Sequence, residues 1–273
     1  MLKYCFARDK IILTENATLH PMDLAVIRGY GIFDFFRVSN SKPLFLDHYL
    51  DRFINSAEAT YLGLALSREE LSQVILELID KNDMITGGFR MILTGGLSEN
   101  HFSPGKGSLF IFAEELFLPS EEKYSKGIKL LGLEHVRPLA KIKTTNYAYP
   151  VWHSKIWKEA GAEDVLYHQD GMISESSRSN FYIIKDGKLI TPSKQILEGI
   201  TRHHILELAD MKEIRDLGME EALQADEAFI TSTTKVLLPV VQIDNHKIGT
   251  GKPGPISLDL LRKFRNLENE LVS

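Results

Sequence analysis

Short apolar runs separated by charged or glycine-bearing turns recur along this chain, and they read as strands; only a few stretches carry the spacing of a helix buried on one face. Residues 3–14 hold two apolar runs split by Arg8-Asp9-Lys10, which predicts a hairpin. Residues 23–38 predict a helical turn broken at Gly29 and Gly31, followed by a strand rich in aromatics. Leu44-Phe45-Leu46 reads as a further strand, after which Asp47 caps a helix with Leu50, Phe53, Ile54 and Ala57 at helical spacing. Ser67-Arg68-Glu69-Glu70 is a capping box, and it opens a helix whose Leu71, Val74, Ile75, Leu78 and Ile79 share a face. Residues 89–94 and 108–113 are strands flanking a polar, glycine-bearing loop at 95–107, of a length often tied to function.

From 114 to 126 acids, a proline and lysines replace the apolar rhythm, and a domain boundary is expected there. The division is an N-terminal α/β domain (1–115), an interdomain linker (116–125) and a C-terminal domain (126–273). In the second half a strand is expected at 128–133, and strands at 165–168, 172–174 and 180–184, with tight turns at 169–171 and 185–188, give a β-meander. A helix is expected from 146 to 160, with Trp152, Ile156 and Ala160 on one face and Gly161 ending it. Gly199-Ile200-Thr201 opens another helix through Leu208, and residues 229–234 form a strand ending in hydroxyls. Pro253, Gly254 and Pro255 precede a helix built on Leu260, Leu261, Phe264 and Leu267.

Composition narrows the partners. The 273 residues are 44% hydrophobic and 25% charged, ordinary for a globular protein, and no segment has the apolar length needed to cross a bilayer. A net charge of −5 with no basic patch argues against nucleic acid and leaves a small molecule as the expected partner. The charged, short-run start does not read as a secretory leader, so a cytoplasmic location is expected. One cysteine, Cys5, excludes an internal disulfide and a cysteine-clustered zinc site; it is expected to be a buried structural thiol, and nothing calls for a metal.

The chemistry starts from Lys143 in Ile142-Lys143-Thr144-Thr145-Asn146-Tyr147. This lysine lies behind an apolar residue and before hydroxyl, amide and phenol neighbours, so its surroundings hydrogen-bond rather than form ion pairs. Glu175 stands among serines, and threonines occupy the turns Gly199-Ile200-Thr201 and Ser232-Thr233-Thr234. A dianionic phosphate favours helix N-terminal amides, hydroxyls and an arginine. Pyridoxal phosphate needs that set together with a lysine to condense with its aldehyde and a carboxylate to keep its ring nitrogen protonated. Arg52, between the apolar positions of its helix, reads by itself as a solvated helix arginine.

Ile142-Lys143-Thr144-Thr145-Asn146, the run from Ser174 to Phe181, the run from Leu197 to Arg202, and Thr231-Ser232-Thr233-Thr234 with Pro239-Val240 resemble the class IV, fold-type IV pyridoxal-phosphate enzymes. These include branched-chain and D-amino acid aminotransferases and aminodeoxychorismate lyase. The resemblance reaches back to Arg28-Gly29-Tyr30-Gly31 and to the run from His48 to Phe53, nearly the whole chain. It implies an α+β, fold-type IV architecture, with a smaller N-terminal α/β domain, a larger C-terminal pseudo-barrel domain and the cofactor in a cleft between them. A homodimer is implied as well, with N-terminal loops reaching the partner's site.

By the same resemblance, Lys143 binds the cofactor and moves a proton at the substrate, Glu175 pairs with the pyridine nitrogen, and Arg52, Ile200, Thr201 and Thr233 hold the phosphate. Tyr147 is a candidate partner of the ring oxygen, although the lysine-to-tyrosine spacing is one residue shorter than in branched-chain enzymes. Phe33, Arg90, Thr234 and Lys235 are candidate substrate contacts, the last two through backbone amides. Arg90 is open to two readings, a contact for an acidic substrate side chain or a strand arginine facing solvent.

The departures bear on substrate. The loop that begins at Thr94 lacks the arginine with which D-amino acid aminotransferases trap a carboxylate, and Phe33-Asp34 replaces the usual aromatic and glutamate pair. The lysine-to-asparagine spacing resembles the D-amino acid and lyase branches. The expected function is a transaminase moving an amino group from an amino acid, with a branched-chain-like L-amino acid favoured, to a 2-oxo acid. The alternatives are a lyase releasing pyruvate from aminodeoxychorismate and, more remotely, a non-catalytic cofactor-binding relative.

Overall fold

Residues 3–273 are described by the computed structural model, and the chain divides into two units. The first takes the chain up to Leu116 and also Ile142–Tyr147; the second takes Phe117–Lys141 and Ala148–Leu271. The lysine segment therefore packs with the first unit although it follows the expected boundary in sequence.

The first unit is a six-stranded sheet with helices on one face. Strands β1 (Tyr4–Ala7) and β2 (Lys10–Leu13) form the expected hairpin, turning at Arg8 with φ 65°. A single helical turn, α1 (Leu24–Ile27), is capped by Asp23, whose Oδ1 accepts from the Ala25 amide at 2.8 Å. The aromatic-rich strand β3 (Gly31–Ser39) follows, then β4 (Lys42–Pro43), α2 (Leu46–Ala59), α3 (Arg68–Lys81), β5 (Gly87–Thr94) and β6 (Leu109–Glu114). The antiparallel order is β2-β1-β6-β5-β3-β4. The period of two in β3 sends Ile32, Asp34, Phe36 and Val38 to the face covered by α2, and Phe33, Phe35 and Arg37 to the other. Residues 44–46 are not a strand: Phe45 takes a left-handed conformation (φ 53°) as N-cap of α2, and Leu46 already lies in the helix. The capping box at Ser67 forms as read, with Ser67 and Glu70 satisfying each other's amides.

The second unit holds α4 (Glu121–Lys126), β7 (Ile128–Glu134), α5 (Ala148–Glu159), β8 (Asp164–Gln169), β9 (Met172–Ser176), β10 (Asn180–Lys185) and β11 (Lys188–Thr191). After these come α6 (Ile200–Leu208), β12 (Lys212–Ile214), α7 (Met219–Leu223), β13 (Glu227–Ser232), β14 (Val236–Ile243), β15 (His246–Lys247) and α8 (Pro255–Val272). Strands β8 to β10 are the expected meander, β11 extends it beyond the 185–188 turn, and the sheet goes further. β14 and β7 pair in parallel, as do β7 and β8, and the path β10-β13-β14-β7-β8-β9 returns to β10 through the cross-strand pair Glu175↔Asn180. This closure makes the sheet barrel-like.

Two further expectations change. The second half of the 116–125 linker is helical in α4, where Tyr124 is buried and its hydroxyl donates to the Lys235 carbonyl at 2.9 Å. Helix α5 presents the opposite face from that expected: Trp152 is 73% and Ile156 50% exposed, whereas Trp157 is 7% exposed and packs with Ala162, Val165 and Tyr167.

Candidate active site

Lys143 is positioned by backbone pairing to β3. Its carbonyl accepts the Phe33 N–H at 2.9 Å, Thr144 bridges to Ile32, and the Thr145 N–H donates to the Gly31 carbonyl at 2.9 Å. Gly31 permits this approach, since a Cβ there would stand 3.2 Å from Thr145 Oγ1 and 3.0 Å from the Leu93 carbonyl oxygen. The segment thus lies along the edge of β3 with its lysine beside Phe33, Nζ 4.8 Å from the ring centroid. The Tyr147 ring meets Phe33 edge-on at 5.6 Å. One aromatic side chain therefore touches both residues expected to contact the cofactor on this stretch.

On the helix-covered face of the same sheet, Arg52 of α2 forms a bidentate pair with Asp34, Nε to Oδ2 at 2.8 Å and Nη2 to Oδ1 at 2.7 Å. It is not a solvated helix arginine. Burial works to lower its guanidinium, but the charge and hydrogen bonds of Asp34 outweigh that and leave it raised, so the cation is secure. The other face carries Phe33, Phe35 and, from β5, Arg90, whose guanidinium lies 5.2 Å from both ring centroids. Arg90 does not simply face solvent: Glu114 accepts from its Nε at 3.2 Å and its Nη2 at 2.6 Å.

Within the second unit, Glu175 is buried on β9, and both of its oxygens are engaged. Oε1 accepts from Arg137 Nε at 2.9 Å, and Oε2 accepts the Leu197 N–H at 2.8 Å. Its cross-strand partner Asn180 donates from Nδ2 to the Leu197 carbonyl at 2.7 Å. Leu197 is thus clamped at its amide and its carbonyl by two facing residues of the barrel seam. Arg137 also donates through Nη2 to the carbonyl of Ala140, three residues before Lys143. Sequence reading missed Arg137; the only signal was its place in the basic stretch leading to the lysine.

Two residues beyond the clamp, Gly199 caps α6 with no side-chain hydrogen bond, leaving the amides of Ile200 and Thr201 at the start of a nine-residue helix. A Cβ at Gly199 would come within 2.3 Å of Asn180 Oδ1, so a side chain there would push the Asn180 amide from its place against Leu197. Thr201 is buried, and Thr233 and Thr234 are half-buried in the turn between β13 and β14. Lys235 departs from expectation: its amide N–H, assigned to a substrate carboxylate, donates to Ser232 Oγ at 3.2 Å, and its side chain is buried against Asp164 and Ser179.

His203 and His204 on α6 bring their ring nitrogens within metal-ligand reach of Glu207, but that carboxylate already pairs with both, at 3.3 and 3.0 Å.

The first unit offers a lysine against an aromatic ring, and the second, taken by itself, a buried carboxylate and helix N-terminal amides with hydroxyls for an anion. That donor chemistry fits pyridoxal phosphate, with the uncapped helix start at Ile200 and Thr201 suited to its phosphate. The comparisons with known proteins agree. A D-alanine aminotransferase from Bacillus licheniformis is 30% identical over 253 residues, covering 88% of this chain and 89% of its own length. A branched-chain amino acid aminotransferase from T.th., solved with pyridoxamine 5'-phosphate, superposes with a TM-score of 0.90 at 24% identity, covering 97% of this chain and 94% of that one. A candidate 4-amino-4-deoxychorismate lyase from Legionella pneumophila has a TM-score of 0.83 at 23% identity, covering 93% and 97%. The class IV amino-transferase family matches residues 31–243, most of both units, and the chain is therefore a member of that family, a pyridoxal-phosphate-dependent transaminase of fold type IV.

Proposed function

We propose that the enzyme takes its amino group from an apolar, branched-chain-like L-amino acid and passes it to a 2-oxo acid. Lys143 holds the cofactor and carries the proton between the substrate α-carbon and the cofactor. Bound pyridoxal phosphate supplies the electron sink that makes that proton removable. Glu175, held by Arg137 and Leu197, faces the pyridine nitrogen. The amides of Ile200 and Thr201, Thr233 and Arg52 bind the phosphate, the Arg52 cation being oriented by its pair with Asp34. Tyr147 meets the ring oxygen, the Thr234 amide receives the substrate carboxylate, and Phe33 and Arg90 line the side-chain end.

The observation that carries this reading is the clamp on Leu197, which ties the buried carboxylate to the turn that opens α6. A carboxylate and an anion cradle fastened to each other at fixed separation suit one ligand with a cationic end and a phosphate end. For substrate, the loop 95–107 contains no arginine, which favours the L-amino acid. A second reading, D-alanine, is favoured by relatives such as that from Bacillus licheniformis.

The purified protein is expected to show the visible absorption of bound pyridoxal phosphate, and Lys143→Ala to lose it. A wild-type protein that takes up no cofactor would refute the reading. A panel of L- and D-amino acids then sorts the substrates: conversion to pyridoxamine phosphate with one equivalent of 2-oxo acid identifies the donor. Pyruvate release from aminodeoxychorismate with the cofactor unconverted identifies the lyase instead, and bound cofactor that ignores every substrate identifies a non-catalytic relative. We further propose a homodimer in the cytoplasm, the assembly to be read by light scattering; among the described residues no helix is long and apolar enough to cross a membrane.

A further inference from the structure

We propose that Lys235 is a positioning residue, joined to Asp164 in a buried ion pair that sets the turn bearing Thr233 and Thr234 against the turn that follows Glu175. The proposal rests on the cofactor assignment above and adds to it a part of the chain that touches no ligand. Lys235 Nζ donates to Asp164 Oδ2 at 3.2 Å and to Ser179 Oγ at 3.0 Å, with the lysine side chain 8% and the aspartate 0% exposed. The other oxygen of Asp164 accepts from Ser177 Oγ at 2.5 Å and from the Val165 amide at 2.9 Å. Ser177 and Ser179 form the connection from β9 to β10, directly after the strand that holds Glu175. The pair therefore grips both ends of that connection from the β13–β14 turn.

Lys235 is itself fixed at every polar group. Its amide donates to Ser232, its carbonyl accepts from the Tyr124 hydroxyl, and its ammonium enters the pair. The next residue, Val236, is buried with φ 57°, a left-handed conformation that a β-branched side chain adopts only when its surroundings impose it. A strained residue on one side and an anchored lysine on the other leave the Thr233–Thr234 turn little freedom. Buried ion pairs are poor sources of net stability, because desolvation offsets their attraction. A pair kept at this place is better explained by the geometry that it enforces on its neighbours.

The test measures cofactor affinity separately from turnover. Pyridoxamine 5'-phosphate forms no covalent bond to lysine, so its dissociation constant, read by equilibrium dialysis with the apoprotein well below its melting temperature, reports the pre-formed site. Lys235→Met and Asp164→Asn are each expected to weaken binding by about tenfold or more, and Ser179→Ala, which removes one neutral contact, by about threefold. Circular dichroism identifies which variants fold; should the two charge variants fail to, Ser179→Ala decides alone. A structural role without positioning would lower the melting temperature and leave the dissociation constant of the folded variants within twofold of wild type, which overturns the proposal. A wild-type protein that does not bind the cofactor overturns the functional reading first and this inference with it, so the two failures are distinct.

Discussion

At the scale of single residues, the burial of Glu175 sets the terms for its neighbours. A buried carboxylate must be paired, and Arg137 is the charge that pairs it. Arg137→Met should therefore destabilise the apoprotein by about 3 kcal/mol, because it leaves an ion without its counter-charge. Adding Glu175→Gln should recover part of that loss, a coupling readable in urea unfolding midpoints. Lys143 stood out in the sequence by its neighbours and Glu175 by the serines around it, whereas the roles proposed for them came from the family resemblance. Arg137 did not stand out, since its partner lies 38 positions away and nothing in the local sequence points there. Arg52 shows the same blindness: its position between apolar residues was visible, but its bidentate partner on β3 was not.

At the scale of elements, periodicity told that α5 exists but not which way it faces. A helix with aromatics on two sides satisfies the same spacing rule in either rotation, and the choice is made by what it packs on. The barrel accepts Trp157 and leaves Trp152 outside. Trp157→Ala is accordingly expected to cost about 3–5 kcal/mol, and Trp152→Ser less than about 0.5 kcal/mol, in parallel thermal melts. The capping box before α3 and the glycine start of α6 were both legible, because caps are written in the residues that make them. The misread strand at 44–46 has the opposite origin: Phe45 as a left-handed cap carries no side-chain signature.

For the whole molecule, a boundary near 114–126 was legible in the change of composition, but the closed sheet was expected only from the family likeness, since parallel pairings such as β7 with β8 join strands far apart in the chain. The pH dependence of the fold is also a property at this scale. Burial pushes the Asp164 carboxyl up, but the Lys235 charge, the Ser177 and Val165 hydrogen bonds and the nearby Arg178 outweigh it and hold it below the usual carboxylate range. Below about pH 4 the unfolded chain takes up this proton before the folded one does. The contribution is thus complete at neutral pH and is lost as pH falls through the folded value. Melting temperatures followed from pH 7 to pH 3 should fall more steeply for wild type than for Lys235→Met, which lacks the main charge that favours the ionised aspartate.

The seam pair Glu175↔Asn180 has a consequence for the order of assembly. It joins strands that return the sheet on itself, so a chain with an open seam has a lysine but no organised carboxylate or clamped Leu197. Closing the barrel thus also brings that carboxylate and Leu197 together, and a cofactor that binds only the closed sheet would stabilise it by mass action.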